Sequence, residues 1–248
     1  EQPELYLWAK ETLLNQASLQ FTKKGLYWEQ SPLYHHQVLM CFAYLYQIAC
    51  YMGYEDQHLW KEVLIEPIRA SYYLSNSNHM LLALNDSDTV DFSWVHSYYH
   101  LLGFESECPE YTMGVLYSGR AFDKKHKVNF ENWFYDEVGG IAVVKSSDIY
   151  FSLFCGLHGS SHGHASHGAI SLEMDGAPFI THPGRYTYTE CEKRVHFKSE
   201  QMQNTVLVEG GHYPSIESSW GYHWVAKPLS MQMKKEDELY YFEAQWSI

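Results

Sequence analysis

The sequence predicts a multidomain α+β chain in which an all-α unit is followed by an antiparallel β-sandwich. Three observations predict this class: apolar helices follow one another through the first hundred residues, a polar and broken stretch begins near residue 104, and strands dominate after residue 137. With 248 residues, 46% of them apolar, the chain is large enough for a substantial core. We therefore expect a helical domain over 1–103, a connector over 104–137 and the sandwich over 138–248.

Four helices are predicted in the first domain. The first is PELYLWAKETLLNQASLQ, whose leucines and tryptophan recur near helical spacing. The second, SPLYHHQVLMCFAYLYQIACYMGY, begins with Ser31 as N-cap and Pro32 at the first helical position. Tyr34 and His35 then lie in its first turn, where the positive end of the helix dipole favours negative charge. The third and fourth are LWKEVLIEPIRASYYL, bent at Pro67, and DFSWVHSYYHLLG.

The second half of the chain is read as a series of strands. GGIAVVKSSDIYFSLFCG gives two strands, and GAISLEMDGAPFITH gives a hairpin that turns at its Asp-Gly pair. If Met174 pairs with Ala177, Leu172 faces Phe179 on the core side of the hairpin. His182 then lies at the same end of the hairpin as a histidine-rich loop. NTVLVEGG and LYYFEAQWSI are predicted to be further strands.

Composition excludes some classes of function. A formal net charge of −13 with no basic stripe argues against nucleic-acid binding. Neither a transmembrane run nor a signal peptide is visible, and five scattered cysteines favour a cytoplasmic protein slightly over a periplasmic one. The oligomeric state is left open. An aromatic content of 17% suits a carbohydrate cleft as well as ordinary core packing. Basic clusters at 124–127 and 193–198 are solvated faces by default, and the second would assist an anionic substrate.

The stretch HGHASHGAI brings histidines together ahead of a strand. His162 and His164 are two residues apart, so they point the same way in extended backbone. Two imidazoles on one side can share a metal ion or a substrate carboxylate. An ordinary surface loop explains the spacing equally well, but His182 at the same end of the sheet favours a functional site.

Taken in order, the segments resemble the heparinase II/III family of polysaccharide lyases, which includes related alginate and oligo-uronide lyases. The family pattern has a G…E-x-S-P-x-Y-H helix start in an incomplete α/α toroid, then an H-G-H-A-D loop, a D-x-G-x-Y-x-Y turn and an H-N-T-V strand in a β-sandwich. The corresponding residues here are Gly25, EQSPLYH at 29–35, HGHAS at 162–166, HPGRYTY at 182–188 and QNTV at 203–206.

The resemblance implies β-elimination at a uronic-acid residue of a glycosaminoglycan or alginate-type glycan. A base removes the proton beside the sugar carboxylate, an electrophile neutralises that carboxylate, and an acid protonates the leaving oxygen. By resemblance, Tyr34 is the proton-transferring tyrosine and His162 contacts the substrate carboxylate. The residues implied to bind the acidic oligo- or polysaccharide are Glu29, His35, Arg185 and Tyr188.

The resemblance also implies a zinc site that supports the architecture of the active site. Its ligands would be His164, His182 and Gln203. The family has aspartate where this chain has His182 and histidine where it has Gln203, so the set carries less negative charge. The loop aspartate of the family is Ser166 here.

The family uses an Asn-His pair as part of its proton-abstracting machinery well before the tyrosine helix. No such pair precedes Tyr34, so it is expected in a longer protein.

Two alternative functions stay open beside the lyase. A non-catalytic carbohydrate-binding relative would explain the substituted metal positions. A metal-dependent hydrolase, with Glu173 as its base, leaves the tyrosine segment without a role.

Overall fold

A computed structural model describes residues 3–120 and 128–247. The chain divides into two compact units. Unit 1 is drawn from Glu1–Trp28, His36–Tyr72 and Ser93–Val128, and unit 2 from Glu29–His35, Tyr73–Phe92 and Asn129–Ile248. The predicted domain boundaries stay predictions. The basic cluster at 124–127 lies outside the described residues.

Unit 1 is built from helices. They are α1 (Pro3–Gln20), most of α2 (Pro32–Met52) and α3 (Gln57–Tyr73), α4 (Ser93–Leu101) and α5 (Tyr111–Ser118). The four predicted helices are confirmed, whereas their predicted arrangement as part of a toroid stays a prediction. Leu39, Leu64 and Tyr98, each at most 1% exposed, lie in the core of this unit.

The predicted connector at 104–137 contains regular structure, which the polar composition around it obscured. Helix α5 forms there because YTMGVLY supplies an apolar turn that packs on α4. Gly114 permits this close approach, since a Cβ at that position would lie 2.8 Å from the Cβ of Ser97. The first strand of unit 2 also begins before residue 137.

Unit 2 is dominated by antiparallel strands. A five-stranded sheet runs in the order β1 (Trp133–Asp136), β2 (Ile141–Lys145), β3 (Ile149–Phe154), β4 (Ala169–Met174) and β5 (Ala177–Ile180). Two hairpins follow, β6 (Ser215–Ile216) with β7 (Tyr222–Trp224), and β8 (Pro228–Glu236) with β9 (Leu239–Trp246). Between the sheet and these hairpins lies helix α6 (Glu192–Lys198). The mixed composition with antiparallel sheets is confirmed.

The β8–β9 hairpin packs against one face of the five-stranded sheet. Ala142, Leu153 and Met231 form the buried contact between them. The rings of Phe151 and Phe242 extend it, with centroids 4.8 Å apart. Two antiparallel layers therefore share one apolar interior in unit 2.

The hairpin β4–β5 differs from its predicted register. The pairing of Met174 with Ala177 at the turn is confirmed. A β-bulge after Leu172 then shifts the register, so Leu172 pairs with Ile180 and not with Phe179. The predicted core position of Phe179 is wrong, because its side chain is 76% exposed.

The predicted strand NTVLVEGG is also wrong, whereas LYYFEAQWSI forms β9. Residues 204–211, all of them described, form no strand. Asn204 makes two isolated hydrogen bonds in place of the hydrogen-bond ladder of a strand. Its carbonyl accepts from Ile170 N at 3.1 Å, and its Nδ2 donates to Thr181 O at 2.5 Å. Beyond it Val206 is 68% exposed. Within the described residues, no helix has the length and apolar character needed to cross a membrane.

Candidate active site

Asn85 joins the two segments of unit 2 that carry the predicted site residues. Its Nδ2 donates to Gln30 O at 2.6 Å, and its Oδ1 accepts from His164 N at 3.0 Å and from Ser166 Oγ at 2.7 Å. Asn85 has a φ of 57°, in the left-handed region that asparagine tolerates better than most residues. Ser166, which stands where the family has aspartate, is therefore buried and binds Asn85.

The two predicted catalytic residues lie against each other. The rings of Tyr34 and His162 stack with centroids 3.6 Å apart and planes 20° apart. Tyr34 Oη also lies 2.6 Å from Tyr188 Oη. Burial and then the bond to Tyr34 raise the pKa of Tyr188, so this hydroxyl keeps its proton and can donate it. A predicted acid and a predicted substrate-binding residue therefore share one hydrogen bond.

Carboxylates face both ring nitrogens of His162. Its Nδ1 lies 3.1 Å from Asp86 Oδ2, and its Nε2 lies 3.9 Å from Glu29 Oε2. Burial raises the pKa of Glu29, although His162 opposes that shift. The imidazole is held by Asp86 on one side, and the opposite nitrogen is directed towards the predicted substrate-binding carboxylate.

Asp86 is the centre of the site. Its fully buried carboxylate binds Arg194 through two contacts, Nη1–Oδ1 at 2.6 Å and Nη2–Oδ2 at 2.8 Å, and lies 2.7 Å from His164 Nε2. Burial by itself would raise the pKa of Asp86, but bonds from His162, His164 and Arg194 hold it below its usual range. Sequence reasoning missed Asp86, because no motif near it in the chain signals a buried, paired carboxylate.

The basic cluster at 193–198 faces inward at two of its positions. Arg194 and Lys198 are four residues apart on α6, hence on one face of the helix, and both are 0% exposed. Lys198 Nζ donates to Ser219 O at 2.8 Å and to Ser161 O at 3.2 Å. Burial and the neighbouring Arg194 lower the pKa of Lys198 to about 8. Their expected role on a solvated, substrate-facing surface is therefore wrong.

The two other predicted substrate-binding residues differ in exposure. Arg185 lies beside the site, with its guanidinium 4.8 Å from the ring centroid of Tyr188. It forms an ion pair with Asp88 at 2.6 Å that is partly open to solvent. His35 is 1% exposed, so its ring does not reach solvent.

The predicted metal ligands leave polar atoms without partners. Buried and without a hydrogen-bond partner in the described parts of the chain are His164 Nδ1, both ring nitrogens of His182 and Gln203 Oε1. Burial lowers the pKa of His164 and of His182 to about 4, so both rings are neutral and retain lone pairs. These donors fit a cation held by two imidazoles and an amide oxygen. Three or more His, Cys, Asp or Glu side chains able to hold a metal do not converge anywhere in 3–120 or 128–247.

Trp220 is a further aromatic residue at the site that sequence reasoning missed. Its ring stacks on that of Tyr188, with centroids 4.8 Å apart and planes 24° apart. The edge contact with His162 has a centroid distance of 5.9 Å. A lone tryptophan in the polar stretch IESSWGY carries no periodic signal, so only the fold reveals its position.

Unit 2 thus combines layered antiparallel strands with a tyrosine–histidine cluster that contacts a buried carboxylate. Residues 133–246 match the family model described as "Heparinase II/III-like, C-terminal". Over this segment the chain is similar to the C-terminal domain of the heparinase II/III-like family. The resemblance found in the sequence is confirmed.

Solved structures share the fold at low sequence identity. Heparinase III superposes with a TM-score of 0.68 and 16% identity over 95% of this chain and 40% of its own. Heparan sulfate lyase HepC from Pedobacter heparinus gives 0.67 and 15% over 91% of this chain and 35% of its own. The chain thus spans well under half the length of either enzyme. Among curated proteins, none matches the sequence.

Proposed function

We propose that this chain carries part of the active site of a polysaccharide lyase that cleaves a uronic-acid-containing glycan by β-elimination. The observation that supports it most is the contact of Tyr34 with both His162 and Tyr188, by stacking at 3.6 Å and hydrogen bonding at 2.6 Å. Since the similar solved structures include a heparan sulfate lyase, a glycosaminoglycan is the first substrate class to test.

The proposed β-elimination needs one proton to be removed from the sugar and one to be donated to the leaving oxygen. A base removes the proton beside the sugar carboxylate, and the electron pair of the broken carbon–hydrogen bond forms the new carbon–carbon double bond. The glycosidic carbon–oxygen bond breaks, and the leaving oxygen takes a proton from Tyr34 Oη. Tyr188 keeps its own proton because its pKa is raised, so it can stabilise the phenolate of Tyr34 by donating to it.

His162 would neutralise the substrate carboxylate. In its doubly protonated form the ring donates Nδ1–H to Asp86 and has Nε2–H left for an anionic oxygen. The bidentate Arg194 keeps Asp86 in place, so the imidazole is oriented before substrate arrives. Arg185 and Glu29 border the same cluster and would contact charged and hydroxyl groups of the sugar. His35 is buried, so it would support the site without touching the substrate.

A zinc ion is the second part of the proposal. His164, His182 and Gln203 would hold it, and bound zinc would supply a fixed positive charge that orders the histidine loop. Asp86 supports this role, because its contact with Nε2 assigns the proton to that nitrogen and leaves Nδ1 of His164 as an acceptor.

The test uses the full-length protein, incubated with heparan sulfate, chondroitin, hyaluronan and alginate oligosaccharides. New unsaturated uronide ends absorb in the near ultraviolet, and we expect this signal on one of the four. His162→Ala should abolish it with the fold intact, whereas His223→Ala, at an exposed histidine, should leave it unchanged. Oligosaccharide binding without turnover would identify a non-catalytic relative. New reducing ends without the absorbance would identify a hydrolase.

A further inference from the structure

Three charged side chains, the exposed Glu190 and the buried Arg194 and Lys198, hold the turn that carries Trp220. Ser219 N donates to Glu190 Oε2 at 2.7 Å. The carbonyl oxygen of Ser219 accepts from Lys198 Nζ at 2.8 Å and from Arg194 Nη2 at 3.3 Å. Two buried cations on one backbone carbonyl fix the turn, because each loses its hydration on burial and needs this acceptor. The indole is therefore presented by a rigid support.

The indole is open to solvent despite this support. Trp220 is 46% exposed, while one face stacks on Tyr188. A tryptophan that served only the core would be largely covered. Its position is also defined relative to the acid, because Tyr188 bonds to Tyr34 at 2.6 Å and His162 meets the indole edge.

We propose that Trp220 is a stacking platform for a pyranose ring of the acidic glycan, next to the bond that is cleaved. The inference rests on the proposed function and adds a specific sugar contact to it. A flat indole fits the C–H face of a pyranose, and the adjoining polar tips of Tyr188 and Arg185 suit the hydroxyl and anionic groups at the ring edge. The platform binds the sugar ring and takes no part in proton transfer.

A platform role makes a distinct kinetic prediction. In the full-length protein, Trp220→Ala should raise KM about tenfold, in line with the loss of one aromatic stacking contact, and leave kcat within about twofold. Trp220→Phe keeps a flat ring and should restore most of the affinity. Trp8→Ala removes a 64%-exposed indole from α1 in unit 1 and is the matched control, with unchanged KM.

Direct binding separates this inference from the proposed function. Titration with the tetrasaccharide that the wild type cleaves fastest should change the tryptophan fluorescence, and this change should be lost in Trp220→Phe. Active Trp220→Ala with unchanged KM and unchanged binding would overturn the platform and leave the lyase standing. If the wild type neither cleaves nor binds any of the four glycans, both proposals are wrong. A uniform loss of kcat with unchanged KM would also reject the platform, because it indicates a disturbed Tyr188.

Discussion

Tyr34 Oη and Tyr188 Oη lie 2.6 Å apart although 154 positions separate them in the chain. Tyr34 stands in the first turn of α2, and that turn belongs to unit 2 while the rest of the helix belongs to unit 1. The first turn of α2 thus places Tyr34 in the strand-rich unit 2. A hydrogen bond between hydroxyls gives the proposed acid a partner that can stabilise its conjugate base.

The first prediction concerns this pair. Tyr188→Phe removes the hydroxyl and keeps the ring that stacks on Trp220. We expect kcat to fall about 10- to 100-fold with little change in KM, because the lost bond strengthens when Tyr34 gives up its proton. Tyr34→Phe removes the acid itself and should cost about 10²- to 10⁴-fold. Both are measured by the rate of unsaturated uronide formation.

A double variant decides whether the two hydroxyls act together. If Tyr188 works through Tyr34, the double variant should be no slower than Tyr34→Phe alone. If the two losses multiply instead, Tyr188 acts on the substrate independently, and its proposed stabilisation of the Tyr34 phenolate is wrong.

The second prediction compares two aspartates that are two residues apart. Asp86→Asn leaves Arg194 buried without its ionic partner, so we expect the free energy of unfolding to fall by about 3–5 kcal/mol. Asp88→Asn breaks only the partly exposed pair with Arg185 and should cost about 0–1 kcal/mol. Urea denaturation of both variants measures the difference. Equal losses would mean that Arg194 finds another partner and that Asp86 is dispensable as its anchor.

What the sequence could predict depends on how local the signal is. The sequence could point to Tyr34 and His162 because each stands in a short segment of fixed spacing, and their catalytic roles stay predictions. Asp86 was missed because its partners lie more than 70 residues away, and nothing near it in the chain announces them. Arg194 was misread for the same reason: charge alone suggested a surface, whereas its position on the inner face of α6 was set by the fold.

The strands show the same limit. The turn of the β4–β5 hairpin was predicted correctly, because the Asp-Gly pair by itself favours a two-residue hairpin turn. The bulge after Leu172 was not, since bulges depend on how the strand fits its neighbours. Alternation of side chains then placed Phe179 on the wrong face.

The third prediction concerns stability at mildly acidic pH. Burial lowers the pKa of His158 and of His167 to about 4, whereas an unfolded histidine titrates at about 6.5. Between these values the unfolded chain binds more protons, so the free energy of unfolding should fall as pH is lowered from about 6.5 towards 4. His167→Gln should reduce that slope by up to about 1.4 kcal/mol per pH unit. Urea denaturation at several pH values measures it, and an unchanged slope would show that His167 does not titrate on unfolding.

The last prediction tests the metal site by a readout other than activity. The full-length protein dialysed against zinc should retain about one ion per chain by elemental analysis, and chelation should lower its melting temperature. His182→Ala removes one of the two imidazoles and should lose the ion and the chelator effect together. His196→Ala, at an exposed histidine of α6, should keep both. If the wild type retains no zinc and the chelator has no effect, the zinc proposal is wrong. The loop that carries His162 is then ordered by protein contacts such as those of Asn85, Asp86 and Lys198.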